Sequence, residues 1–274
     1  MKSWLKNKTI IVTGASSGIG KEITRLLINK HNAFVIGIAR REEKLKELKS
    51  LFNDNFDYIV ADVSKKEDWA NIFDNTKDKN VKLLINNAGT MHAFMPAYKI
   101  EDEFVEKIFK TNFYSSYYGY KTFCEYFKTQ KDCGIVNICS ASALCSIPGE
   151  SIYSASKSAQ VAFSKIISSE EKGKIFIATY LPGSTNTNLF NNNDISKPIL
   201  DDKTKKLANK IFMPCEKMAK KIVKAINKRK RYKKFGIDAS ILKFLNGVAP
   251  NKSSDLYLKF FKKTKLECFK DLFE

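Results

Sequence analysis

The stretch that most restricts the fold runs from Thr9 to Asn29. Thr9-Ile10-Ile11-Val12 reads as a short buried strand, and Thr13-Gly14-Ala15-Ser16-Ser17-Gly18-Ile19-Gly20 as a glycine-rich turn. Lys21 to Asn29, with apolar residues at Ile23, Leu26 and Leu27, has helical spacing. Strand, glycine turn and helix in succession are the context in which a dinucleotide pyrophosphate meets a helix N-terminus. Gly14 would permit the tight turn, Gly18 a close backbone approach to the anion, and Gly20 close packing of helix on strand. A plain glycine-rich turn is the alternative reading of the same residues.

The pattern repeats along the chain. Strands are predicted at Ala33–Ala39, Tyr58–Ala61, Val81–Ile85, Gly134–Ile138 and Lys174–Tyr180. Helices are predicted at Glu42–Leu51, Lys65–Asn75, Glu101–Phe127 and from the Tyr153 region to about Glu171. This alternation implies an α/β fold: one doubly wound Rossmann-type domain over residues 1–237, with a parallel sheet of about seven strands and helices on both faces. Residues 238–274 read as a C-terminal helical extension. Ligands of such sheets lie outside the carboxyl ends of the strands. Gly14, Asp62, Asn86, Ser140 and Pro182 all follow strand ends, so one edge of the sheet collects the candidate functional residues.

Tyr153 and Lys157 are four apart on a predicted helix, which sets phenol and ammonium on one face. A cation there is expected to lower the phenol pKa from about 10 and fit it for proton transfer. Asn112 lies inside an aromatic helical stripe, where a buried amide needs partners. Arg40 stands where a NAD-binding fold carries an acid for the ribose 2′-hydroxyl, so it would pair with a 2′-phosphate and favour NADP(H) over NAD. Asp62 would hold the adenine amine, cap the following helix with Ser64, or do both.

Composition adds charge. Forty-eight Lys and Arg against 29 Asp and Glu leave a net charge of +19, much of it on Lys-rich helix faces. That charge implies a solvated surface or acidic partners. No zinc-finger spacing or RNA-binding signature points to nucleic acid. The six cysteines form no Cys-x-x-Cys and there is no histidine cluster, so reduced thiols and no metal site are expected in a cytoplasmic protein. No signal peptide is read, and no stretch approaches the roughly 20 apolar residues of a membrane span.

Taken together, Thr13-Gly14-x-x-x-Gly18-x-Gly20, Asn86-Asn87-Ala88-Gly89, Asn112, Ser140, Tyr153-x-x-x-Lys157 and Pro182-Gly183 resemble the short-chain dehydrogenase/reductase family, in its order and over about Lys8 to Ile237. The resemblance implies hydride transfer between a nicotinamide and a carbonyl or secondary alcohol. Tyr153 would be the proton donor in reduction and the base in oxidation. Lys157 would lower its pKa and hold the nicotinamide ribose, Ser140 would orient the substrate oxygen, and Asn112 would hold a water linking Lys157 to solvent. Ser142 is the neighbouring, less favoured candidate for the role of Ser140. The coenzyme contacts implied are Gly14, Ser16, Ser17, Gly18, Ile19, Gly20, Arg40, Asp62, Val63, Asn86, Ala88, Gly89, Tyr153, Lys157, Pro182, Gly183 and Thr187. The sequence departs from the pattern at Ser17, where many NADP-preferring relatives carry Lys or Arg.

Met91 to Pro96, Ala143 to Pro148 and Leu189 to Met213 are expected to line the substrate cleft. Their apolar side chains suggest a lipophilic carbonyl of 3-oxoacyl, steroid or long-chain ketone type. A homodimer or homotetramer is expected. The basic run 203–234 and the apolar positions that follow suggest contact with anionic membrane or an acidic carrier through 203–274, or else a helical pair closing the pocket. The rival function is a non-catalytic NADP(H)-binding sensor or scaffold, which would need no proton donor.

Overall fold

Short apolar segments with alternating faces build the sheet. In β1 (Thr9–Thr13), Ile10 and Val12 point to one side and Ile11 to the other, all fully buried. The computed structural model describes residues 3–145, 147–187, 212–236, 244, 246–264 and 266–273. Beside β1 lie β2 (Phe34–Ala39) and β3 (Phe56–Val60) on one flank, and β4 (Val81–Asn86), β5 (Gly134–Ile138) and β6 (Phe176–Pro182) on the other. Two short strands, β7 (Thr185–Asn186) and β8 (Met213–Pro214), pair apart from the sheet, and β9 (Tyr232–Phe235) completes it. The order is β3-β2-β1-β4-β5-β6-β9, seven strands, every pairing parallel. The strand order reverses between β1 and β4, which opens a crevice at their carboxyl ends.

Helices cover both faces because both faces are apolar. One layer is α1 (Gly18–His31) and α7 (Cys215–Asn227), whose Ile23, Leu27, Met218 and Ile222 bury against Val12, Leu83 and Val136. The other layer holds α3 (Lys66–Asp74), α5 (Ser115–Lys128) and α6 (Ser151–Glu170), whose Trp69, Phe123, Phe127 and Ile167 meet Ile11, Leu84 and Ile135. Each fully buried Ile or Leu contributes about 1.5–3 kcal/mol of transfer free energy. α1 stops at Asn32, whose backbone is left-handed (φ 49°); its N–H donates to Ile28 O at 3.0 Å and that of Ala33 to Leu27 O at 3.2 Å. α2 (Glu42–Phe52) follows β2.

The single long helix expected over Glu101–Phe127 is three pieces: α4 (Asp102–Phe109), a π turn (Lys110–Tyr114) and α5. The wide turn carries the fully buried Asn112 and re-aims it, a common use of such bulges. The helix expected to start at Lys65 starts at Lys66 without a side-chain cap, because Asp62 closes its own turn with Ser64 instead.

The C-terminal segment does not stand away from the domain. α8 (Pro250–Thr264) and the turn after it bring Phe261 and Phe269, stacked with centroids 4.0 Å apart, onto Phe94. Tyr257 packs on Ala141 and Cys145, and Leu272 comes against Gly149. Among the described residues, no helix is long and apolar enough to cross a membrane.

Candidate active site

The glycine turn is shaped by what would not fit. A Cβ on Gly20 would strike the Gly14 carbonyl and the Asn87 amide, and one on Gly14 (φ 67°) would lie 3.0 Å from Ala88 Cα. Thr13 binds this turn to the next strand end: its Oγ1 accepts from the N–H of Asn87 at 2.9 Å and of Ala88 at 3.0 Å, while Asn87 Nδ2 donates to Thr13 O at 3.0 Å. α1 then begins with no side-chain cap and no acidic residue in its first turn. Its leading N–H groups are therefore available to an anion. Thr187 roofs the turn, its Cβ 3.6 Å from where a Gly18 side chain would start. Glycine cradle, uncapped amides and roof fit a dinucleotide pyrophosphate.

Residues singled out from the sequence fall around this cradle in different ways. Asp62 spends Oδ1 on Ser64 N at 3.0 Å and Ser64 Oγ at 2.7 Å. Val63 is buried and its carbonyl accepts from the Trp69 indole. The Asn86 side chain points inward, donating to Asn137 Oδ1 at 2.9 Å, so only its backbone belongs to the edge. Ile19 packs on the core, and Pro182 and Gly183 end β6, where Gly183 N donates to Phe235 O at 2.8 Å. Arg40 is exposed; its neighbour Arg41 reaches the turn and donates to Ser16 Oγ at 3.2 Å and Ser17 Oγ at 3.0 Å. A guanidinium therefore stands beside Ser17, from the residue that precedes α2. Leu189–Ile211 of the expected cleft lies outside the described residues.

The second half of the site is a buried polar cluster on α6, β5 and the π turn. Asn112 Oδ1 accepts from Thr90 N at 2.8 Å, and its Nδ2 donates to Thr90 O and Ser156 Oγ. Lys157 Nζ donates to Gln160 Oε1 at 3.0 Å and Ile138 O at 3.3 Å. A Cβ on Gly89 would lie 3.3 Å from Asn112 Oδ1 and 3.4 Å from Lys157 Nζ, so the three meet at one point. Ser140 follows β5, accepts from Ser142 N at 3.1 Å, and hydrogen-bonds the Tyr153 phenol. Ser140 and Tyr153, Lys157 and Asn112 therefore converge, and each is at least nine-tenths buried.

Burial sets the electrostatics here, and this corrects one expectation. The Tyr153 phenol is pushed up from its ordinary value, not down: desolvation outweighs the Ser140 hydrogen bond, and Glu150 and Cys139 add to the rise. The Lys157 ammonium is itself held down at about 8 by the same burial. Two further groups at the start of α6 carry no sequence pattern. His92 is buried and kept toward the neutral form; Nδ1 meets Ala93 O at 2.6 Å and Nε2 accepts from Tyr153 N at 3.5 Å. Glu150 is buried, accepts from Ser142 Oγ at 2.8 Å, and rises to about 7 through desolvation. Among the described residues no cluster could hold a metal ion, and the five described cysteines are free thiols.

A cavity of about 500 Å³ opens next to this cluster, lined by Ala143 to Cys145, Ile147 to Gly149, and Ser151, Ser154, Ala155 and Ser158. Ser142, tied to Ser140, lines it too, so the expected cleft stretch Ala143 to Pro148 does border a cavity that reaches the polar cluster, while most of the α6 positions lining it lie on another flank of the helix from Tyr153 and Lys157.

Residues 8–197 match the family described as short chain dehydrogenase. The chain is 31% identical over 193 residues to 3beta-hydroxysteroid dehydrogenase 2 of Eggerthella lenta, covering 68% of this chain and 74% of that protein. It is 32% identical over 166 residues to the 3-oxoacyl-(acyl-carrier-protein) reductase FabG of Rickettsia prowazekii, covering 61% of this chain and 67% of that one. Its fold is similar to the closed form of serine dehydrogenase complexed with NADP+, with TM-score 0.74 at 24% identity over 83% of this chain and 94% of that chain.

Proposed function

The chain belongs to the short-chain dehydrogenase family of oxidoreductases, and on that footing we propose that it interconverts a carbonyl and a secondary alcohol with NADP(H), Tyr153 moving the proton. Bound in the cradle, a nicotinamide coenzyme supplies or accepts the hydride. Gly14, Ser16, Ser17, Gly18, Ile19 and Gly20 would hold its pyrophosphate and Asp62 and Val63 its adenine. Asn86, Ala88, Gly89, Pro182, Gly183 and Thr187 would shape the nicotinamide end, and Lys157 would hold the ribose there. Arg40 and Arg41 would meet a 2′-phosphate; the Arg41 contacts with Ser16 and Ser17 support NADP(H) over NAD(H).

In reduction Tyr153 gives its phenolic proton to the substrate oxygen, and in oxidation it takes a proton from the hydroxyl. A phenol kept protonated by burial is a competent donor, and Ser140 stabilises the phenolate it leaves while orienting the substrate oxygen. The buried Lys157 ammonium adds positive charge one helical turn away, and Asn112 fixes the floor beside it. The observation that carries this reading is the convergence of Ser140, Tyr153, Lys157 and Asn112 on the mouth of the glycine cradle. Tyr153→Phe tests it: turnover should fall by at least about a thousandfold while coenzyme binding persists. Unchanged turnover in that variant would overturn the role of Tyr153, and no turnover of any carbonyl by the wild type would leave the sensor or scaffold reading.

Phe94 and Ile147 beside the C-terminal aromatics, with Met91 buried in the same loop as Phe94, support an apolar body for the substrate, of 3-oxoacyl, steroid or long-chain ketone type. Exposed Tyr114 and Ile166 on α5's approach and α6 support a homodimer or homotetramer. Exposed Phe244, Val248, Leu256 and Phe260 recur every four residues in part and, with the net charge of +19, support peripheral contact with anionic membrane by a cytoplasmic protein. Light scattering and co-sedimentation with anionic against neutral liposomes test these surfaces; a monomer, or equal partitioning between liposomes, rejects them in turn.

A further inference from the structure

We propose that Gln160 is a positioning residue for the reaction: its side-chain carbonyl, braced by Ser116, holds the Lys157 ammonium in place and charged for the coenzyme. The proposal rests on the oxidoreductase reading and adds to it a residue that no motif of the sequence marks.

Lys157 is buried on α6, one turn after Tyr153. An ammonium has three N–H donors and no acceptor. Two of the three are engaged, by Gln160 Oε1 at 3.0 Å and the Ile138 carbonyl at 3.3 Å, which leaves one for a ligand. Among the described residues no carboxylate forms an ion pair with Lys157, and Gln160 is the one side chain that accepts from it. The two meet because they stand three apart on one helix. Lysine can only donate, so the carbonyl end of the Gln160 amide faces it and the amino end faces away. That amino end donates to Ser116 Oγ at 2.6 Å, on α5 just past the π turn that carries Asn112. Gln160 and Ser116 are each 1% exposed. The amide therefore cannot flip or swing out without stranding a buried group at each end.

The plain role for a buried glutamine is a satisfied core amide. A leucine would fill the same space between α5 and α6, as apolar residues do on the buried faces of α1 and α7. What leucine would not supply is an acceptor for a cation that burial already holds at about 8. A hydrogen bond to a charged group shifts such a value by about one to two pH units, so without Gln160 the lysine loses its proton near or below neutral pH. A neutral lysine brings no positive charge to the phenolate that Tyr153 leaves. Few titratable groups surround Lys157. Cys139, just past the end of β5, is pushed up to about 12 by burial, and the Tyr153 phenol is pushed up as well, so both stay neutral. Asn112 from the π turn and Gly89 from the loop after β4 do not titrate. Glu150, risen to about 7, and His92, held towards neutral, stand at the start of the helix; they bond Ser142 and the Tyr153 backbone and are unchanged in every variant below.

The test compares Gln160→Leu, Gln160→Glu and Ser116→Ala with the wild type, all as the full chain. Ser164→Ala is the control, since it breaks buried hydrogen bonds of α6 to Asn137 and Thr179, away from Lys157. Urea titrations without coenzyme, from about pH 6 to about pH 10, read the charge on Lys157 through linkage. Wild-type stability should begin to rise with pH at about 8, where the folded form starts to lose the proton that the unfolded form keeps. In Gln160→Leu the rise should begin about one pH unit or more lower, so this variant gains on wild type as pH approaches 8. In Gln160→Glu it should begin higher, so this variant loses ground above 8. Ser116→Ala should follow Gln160→Leu with a smaller displacement, and it carries the comparison where Gln160→Leu does not fold. Ser164→Ala should lower stability by an amount that does not change with pH. Titration with NADPH reads the same charge at the coenzyme. With only the protonated lysine competent, wild-type affinity should fall about twofold from about pH 6.5 to about pH 8, and that of Gln160→Leu about eightfold or more. Variants at Gln160 that keep the wild type's pH dependence of stability, whatever their overall stability, or that bind NADPH with an unmoved pH profile, overturn the proposal. If the stability profiles move as expected and the wild type binds neither NADPH nor NADH, Gln160 sets the charge on Lys157 and the oxidoreductase reading fails.

Discussion

Gly20→Ala offers the sharpest check on how the cradle is built. A methyl at this position would sit 2.9 Å from the Gly14 carbonyl carbon and closer still to its oxygen and to Asn87 Nδ2. Carbon contacts become comfortable only near 3.5 Å, so α1 must retreat from β1 by more than about half an ångström. Overpacking of this kind costs about 1–3 kcal/mol. The retreat also pulls Asn87 Nδ2 from Thr13 O and Gly14 O, bonds of 3.0 and 3.5 Å, at a further cost of about 1–3 kcal/mol for the stranded groups. With a combined loss of about 3 kcal/mol and about 2–4 °C per kcal/mol in a domain of this size, the melting temperature should fall by about 6–12 °C. Coenzyme affinity should fall with it, since the α1 amides move. Gly247→Ala is the control, because nothing lies within 4 Å of its added methyl. Scanning calorimetry and coenzyme titration of the two variants decide the matter. A Gly20→Ala protein that melts with the Gly247→Ala control and binds coenzyme normally would refute the close packing of turn, helix and strand.

Two further substitutions probe the site's charges. Lys157 has its pKa lowered from 10.5 to about 8. Below about 8 the folded and unfolded forms both carry the proton and the burial cost is complete; between about 8 and 10.5 the unfolded form holds it longer, so stability rises with pH. Lys157→Met removes this charge but also strands Gln160 Oε1 and Ile138 O, so the sign of the offset at neutral pH is set by both, while the stability of the variant relative to wild type should fall as pH rises through that window in urea titrations; a difference independent of pH would contradict the burial argument. Arg41→Ala should weaken NADPH binding by at least about tenfold and leave NADH within about twofold. Equal losses for both coenzymes would show that Arg41 only braces Ser16 and Ser17.

What could be read from the sequence and what could not divide along physical lines. The six main strands and the glycine turn were legible because parallel strands buried on both faces are short apolar runs, and because Gly14 and Gly20 have steric reasons to be glycine. Ser140, Tyr153 and Lys157 come from one strand end and the helix beside it, so their convergence follows from local spacing. β9 was hidden: Tyr232-Lys233-Lys234-Phe235 is an edge strand paired on one side, to β6, and its lysines read as part of a basic run. The contact of Arg41 with the turn could not be read from the sequence, because which of two adjacent arginines reaches it depends on how the chain leaves β2. The sign of the Tyr153 shift was misjudged because spacing places a cation but says nothing of desolvation. His92 and Glu150 had no periodicity to announce them; only tertiary packing makes them buried.

The central position of β1 also bears on synthesis. Its partner on one flank, β2, emerges at once, but Thr13 must wait for Ile85 and Asn87, 72 and 74 residues later, before its other edge is covered. Until then the nascent chain displays Thr9-Ile10-Ile11-Val12-Thr13 as an open, uncharged β-edge, the kind of surface on which chains cross-pair. The strand that anchors the finished cradle is thus, on the ribosome, the one most in need of shelter.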